Sequence, residues 1–165
     1  MAQTAGLRSE VESFQYFIFN TIDSIVGVLD GLSAEKLNWR PIAPATNSLY
    51  AIATHVLGNA EENLLGTLCG QPHGRNYATE FSTAAAGPDT VRARWVELRE
   101  RVAKSFVKLT REDLDRARQH PRRGIITGRD VLIVVARHAA EHWGEAQLTR
   151  SLMNARRNSD LAKDL

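Results

Sequence analysis

Three of the five histidines in this 165-residue chain have a spacing that can do chemistry: His55 stands alone in one helical stretch, and His138 and His142 lie four apart in another. Four residues advance an α-helix by about 400°, so the latter two share one face, about 40° apart and one turn above the other. Two imidazoles so placed converge on one metal ion, and a third from a facing helix completes a three-nitrogen cap. Three neutral protein ligands leave a further position for water or substrate, the open arrangement of catalytic sites. A histidine pair at this spacing also arises by chance on many helices, as core residues with ordinary hydrogen-bond partners. The apolar surroundings favour the metal reading, because imidazoles without partners are costly there. Three imidazoles suit zinc, nickel, iron and copper, with zinc and nickel placed first.

The same faces carry carboxylates. Glu145 follows His138 by seven residues, and Asn59 and Glu62 follow His55 by four and seven. Polar rows facing each other from different helices are how bundle cores build metal sites. Glu145 and Glu62 are therefore the candidate catalytic residues, either as acceptors for imidazole N–H groups or as a general base acting on water. The alternative for each is a part-exposed ion pair. The string from His138 to His142 also satisfies the H-x-x-E-H pattern of inverzincin peptidases. Those enzymes need a third, acidic ligand far downstream, and little of the sequence follows His142. His73, between Pro72 and Gly74, and His120, before Pro121, read as solvated loop residues, with His73 also a candidate for the site mouth. Trp143 reads as core packing, a dimer surface or a pocket wall. Cys69 lies about four turns, roughly 20 Å, beyond His55, too far to be a ligand.

Helices must position these groups, and apolar residues at three- and four-residue steps predict four of them, over residues 9–30, 47–69, 89–109 and 128–153. The predicted core holds Ile18, Ile25, Val56, Leu98, Phe106, Val134 and Leu152. Gly31 suits the end of the first helix. Residues 32–41 read as a short turn or helical bend. Asn47 or Ser48 caps the second helix, and Thr127 or Asp130 the fourth. The connection over residues 71–87 shows no periodicity, and its length suits a functional cover bearing His73 and Tyr77. Residues 114–128 are basic and irregular, with a brief strand at Gly124, Ile125 and Ile126. Four amphipathic helices without a convincing sheet give an all-α, antiparallel four-helix bundle. It forms one domain over residues 1–153, and a polar, frayed tail follows over 154–165.

Composition narrows the function. Hydrophobic content of 43% and charged content of 24% are those of a soluble globular protein. A net charge of +2 is too small to argue for nucleic acid, and no nucleic-acid partner is expected. The arginines at 116, 118, 122 and 123, and at 150, 156 and 157, read as solvated loop and tail. One cysteine excludes an internal disulfide and fits a reducing compartment. Without an apolar leader or a membrane-length apolar run, the expected location is cytoplasmic, with no membrane partner.

Three stretches occur in order: Leu37-Asn38-Trp39-Arg40-Pro41, then Asn47-Ser48-Leu49 entering the helix of His55, then Arg137 to Glu145 with its two histidines. Together they resemble the DinB-like (DinB/YfiT-like) family over nearly the whole chain. The resemblance implies an up-down four-helix bundle with a long connection, homodimeric in many members, holding a divalent metal through three histidines. Carried onto this sequence, those ligands are His55, His138 and His142. Many relatives have glutamine where this chain has Glu145. The family in turn resembles thiol-dependent transferases and isomerases that use low-molecular-weight thiols such as mycothiol or bacillithiol. A cation held by three neutral imidazoles keeps its charge and can stabilise a thiolate or hydroxide. The implied function is a divalent-metal-dependent transferase, isomerase or hydrolase acting on a small molecule. The alternative is a non-catalytic bundle that binds metal or ligand for stability or sensing.

Overall fold

The apolar periodicity resolves into long helices. The computed structural model describes the backbone of residues 2–161 and the side chains of residues 10–156. Helix α1, Ala2–Gly27, buries Ile18, Ile22 and Ile25. The chain reverses at Gly31, whose φ of +69° glycine adopts freely. A short α2, Ala34–Asn38, is capped by Ser33. Helix α3, Leu49–Ala60, is capped by Ser48, which accepts the Ala51 N–H and leaves Asn47 free for another task. Its last turns, Glu61–Leu68, widen into a π-helix. Then come α4, Asp89–Phe106, and α5, Arg111–Asp115. Strand β1, Ala117–His120, pairs antiparallel with β2, Gly124–Thr127, extending the brief strand read at Gly124 to Ile126. Helix α6, Gly128–Leu161, opens on a reciprocal cap in which Thr127 accepts the Asp130 N–H and Asp130 accepts that of Thr127.

Cross-helix contacts fix the directions. Trp95 donates to Asp23 while Arg92 pairs with Asp30, so α1 and α4 are antiparallel. Asn47 meets Glu145 and Leu68 lies beside Gly128, so α3 and α6 are antiparallel too. By contrast, Glu10 pairs with Arg129 and Arg150 reaches the Val28 carbonyl, which makes α1 and α6 parallel. Glu61 pairs with Arg94 and Gln71 with Ser105, which makes α3 and α4 parallel. Parallel neighbours cannot be joined by a tight turn. The chain leaving α3 must travel back along the bundle before α4 begins, and it passes His55 on the way.

Ile18, Ile25, Val56, Leu98 and Phe106 are buried as expected, and Val134 is half-buried. Leu152 is not in the core; it is 43% exposed. It lies past the level where Asn47 meets Glu145, beyond the start of α3, so α3 does not cover it. Helix α6 also continues to Leu161, into the residues read as a frayed tail, whose last four, 162–165, lie outside the described residues. Among the described residues no helix is long and apolar enough to cross a membrane.

Candidate metal centre

His55 on α3 is buried, and His138 and His142 on α6 are half-buried opposite it. One ring nitrogen from each lies within 4.8 Å of the others. The Nε2 atoms of His55 and His138 are 3.0 Å apart.

Two of the rings are fixed from behind. His142 donates from Nδ1 to Glu145 Oε2 at 2.7 Å, and Asn47 donates to the other oxygen, Oε1, at 2.9 Å. His55 donates from Nδ1 to Glu80 Oε2, also at 2.7 Å. A carboxylate is an acceptor only, so each Nδ1 carries the proton and each Nε2 presents a lone pair to the space between the helices. His138 is uncharged for another reason: burial, and then the neighbouring rings of His142 and His55, push its pKa down to about 3. At 3.0 Å the neutral His138 ring can donate from Nε2 to the His55 lone pair, and a cation between the helices takes the place of that proton. The donor set thus fits a divalent ion of the kind that binds neutral imidazole.

Both carboxylates are ionised. The hydrogen bond from His142 holds Glu145 below the usual carboxylate range against the effect of burial, with help from Asn47. Burial opposes the ionisation of Glu80, yet hydrogen bonds from His55 and Arg75 outweigh it and its pKa is lowered.

Glu80 has no signal in the sequence. It sits in the connection after a single 3-10 turn, Tyr77–Thr79, where no periodicity relates it to His55. The same segment brings the Phe81 ring to 4.7 Å from the His55 ring and the Tyr77 ring to 6.0 Å, centroid to centroid. Residues just after α2's last turn and within it hold the segment down. Asn38 exchanges two hydrogen bonds of 2.8 Å with the Ala85 backbone, and Arg40 donates to the Phe81 carbonyl. The stretch from Leu37 to Pro41 therefore anchors the connection over the histidines.

Glu62 touches none of the three imidazoles. It lies about 10 Å along the helix axis from His55. Its carboxylate pairs instead with Arg75 at 2.7 Å and with Arg122. Glu145 is the candidate carboxylate that does reach a ring.

His120 is a buried node rather than a solvated residue. It accepts the Arg122 N–H at Nδ1 and donates from Nε2 to Asn63 Oδ1 at 2.9 Å. His73 is exposed and lies across Gly66. Trp143 packs half-buried against the core. Burial pushes the Cys69 thiol up to about 11, which leaves it a weak nucleophile at neutral pH.

Comparison with known proteins bears on the family and the fold. The family model of the DinB superfamily matches residues 20–146. Among curated proteins none matches the chain. A conserved protein from Enterococcus faecalis superposes with a TM-score of 0.71 at 13% identity, over 86% of this chain and 95% of that one. YfiT from Bacillus subtilis, described as a probable metal-dependent hydrolase with an unusual four-helix bundle topology, superposes with a TM-score of 0.70 at 15% identity. That match covers 88% of this chain and 89% of YfiT. At such identities the likeness is one of fold.

Proposed function

We propose that this chain, which belongs to the DinB superfamily, holds one divalent cation on His55, His138 and His142 and acts with it on a small-molecule substrate. The reaction class we assign is hydrolysis, or transfer or isomerisation that uses a low-molecular-weight thiol. The observation that carries this reading is the convergence of three ring nitrogens within 4.8 Å, with carboxylates behind two of the rings. When bound, the cation supplies a Lewis acid that activates water or a thiol and polarises the substrate.

The chain's own residues do the rest. The three uncharged rings leave the charge of the ion undiminished, and a neutral nitrogen set suits zinc or nickel, with iron also accommodated. Glu145 keeps the Nδ1 proton on His142, and Asn47 keeps Glu145 from rotating away. With one oxygen on His142 and the other on Asn47, Glu145 acts as an orienting carboxylate rather than as a proton acceptor for substrate. Glu62, neutralised by Arg75 and Arg122, holds the connection to the bundle. Phe81 and Tyr77 set ring surface against His55, where the apolar part of a small substrate can rest. The description of YfiT as a probable metal-dependent hydrolase supports the hydrolytic form of the reading. We further propose a homodimer formed through the exposed face of α6.

Elemental analysis tests the site. The protein as purified should carry one transition-metal ion per chain, and His138→Ala should lose it. Full metal content in all three single histidine variants would overturn the assignment. Cobalt-substituted protein titrated with a small thiol should develop sulfur-to-cobalt charge-transfer absorption. A spectrum indifferent to saturating thiol and anions would make the ion structural.

A further inference from the structure

We infer that Glu80 is the positioning residue for His55, and that its seat exists because residue 58 is glycine; the inference rests on the metal reading above. Glu80 belongs to the connection between α3 and α4, not to a helix that carries a candidate ligand, yet it is only 2% exposed. Its Oε2 accepts from His55 Nδ1 at 2.7 Å and from Arg75 Nη2 at 3.0 Å, and its Oε1 accepts from Arg75 Nε at 2.8 Å. The guanidinium of Arg75 thus grips the carboxylate with two nitrogens, and its third, Nη1, reaches Glu62 on the bundle at 2.7 Å. A buried carboxylate needs such a partner to offset the cost of its desolvation.

The helix makes room for this contact. Gly58 lies three residues after His55 inside α3, where glycine is the poorest helix former after proline. A Cβ at that position would lie 2.1 Å from Glu80 Oε1, 3.0 Å from its Cδ and 3.3 Å from Arg75 Cγ. Any side chain at residue 58 therefore displaces the carboxylate from the seat in which it meets both His55 and Arg75. A glycine that helix propensity disfavours is accounted for by the carboxylate that occupies its space. With Glu80 in place, the His55 proton stays on Nδ1 and the Nε2 lone pair is available to a cation. Alignment of one ligand and seating of the connection are then one event.

The test uses Glu80→Ala, Glu80→Gln, Gly58→Ala and the Gly58→Ala/Glu80→Ala double variant. Zinc affinity, measured by competition with a chromophoric chelator, should fall tenfold or more in Glu80→Ala and in Gly58→Ala. Glu80→Gln, which keeps an acceptor oxygen, should fall between these and the parent. In the double variant the second change should add nothing to the first, since both remove the same contact. Circular dichroism of Gly58→Ala should show unchanged helix content. Nitrogen-15 NMR of the metal-free protein provides a readout that does not need metal. His55 should be protonated at Nδ1 in the parent and a mixture of tautomers in Glu80→Ala. A parent protein that ignores zinc would refute the metal reading while the tautomer measurement still decides the role of Glu80. An unchanged tautomer in Glu80→Ala, or undiminished zinc affinity in that variant of a zinc-binding parent, would overturn the inference.

Discussion

Burial keeps His138 neutral, and that neutrality has a consequence for pH. His138 is held near 3 by burial and by the adjacent rings, and His120 is lowered by burial and by Arg122 and Arg123. In the unfolded chain both return to the ordinary value of 6.5. As pH falls below 6.5, the unfolded state therefore takes up protons that the folded state refuses, and folding stability falls with it. The loss continues until pH nears the folded value of His138. Chelator-treated protein should show a urea midpoint that drops between pH 7 and pH 5, and His138→Gln should flatten that drop. A midpoint that rises on acidification would contradict the assigned protonation states. The histidine triad was legible in the sequence because an i, i+4 pair on a helix has one geometry. Glu80 was not, because a residue in an irregular segment has no fixed geometry relative to anything. Glu62 shares the face of His55 but not its level: seven residues carry it about 10 Å further along the axis, where it pairs with Arg75 and Arg122.

Among the elements, the four helices followed from apolar spacing, while their directions did not. Nothing in the periodicity of α3 and α4 states that they run parallel. The cue was the long segment between them, which a tight antiparallel pair would not need. Helix ends were also set by tertiary contact: α6 outlasts its apolar stripe, and Leu152 is exposed because α3 has not begun at that level. The opposite end of α6 shows how contact dictates sequence. Gly128 begins the helix pressed against α5, where a Cβ would lie 2.4 Å from the Asp113 carbonyl oxygen and 3.0 Å from Leu114 Cα. Those are backbone atoms that cannot swing aside. Gly128→Ala should therefore destabilise the protein by about 1–3 kcal/mol despite the better helix propensity of alanine. Equilibrium urea unfolding would measure it, and a variant as stable as the parent would mean that α5 is free to move from α6.

At the scale of the whole molecule, the bundle spends its apolar residues on one core, yet α6 keeps a second stripe facing outward. Ile133, Ala140, Gly144 and Leu148 recur at four- and seven-residue steps, and Ile133 and Leu148 are 48% and 61% exposed. These four residues are turned by about 100–180° from the rings of the candidate centre, so the stripe is not part of the site. Ala140 and Gly144 at its middle are small enough for a second helix to approach closely, and a Cβ on Gly144 would meet nothing within 4 Å. Arg137 and Glu141 lie in the same stripe, exposed and only loosely paired at 3.6 Å. Two copies related by a two-fold axis near Ala140 would run antiparallel and set the basic end of each pair toward the acidic end of the other. Such a self-complementary surface favours a second copy of this chain over an unrelated partner. Sedimentation equilibrium should then report twice the 18.3 kDa chain mass. Leu148→Asp, which places a carboxylate in the apolar stripe at a residue 61% exposed, should give the single-chain mass with the helix content and metal content of the parent. A parent protein that sediments as a single chain at every concentration would leave the stripe a solvent-facing surface.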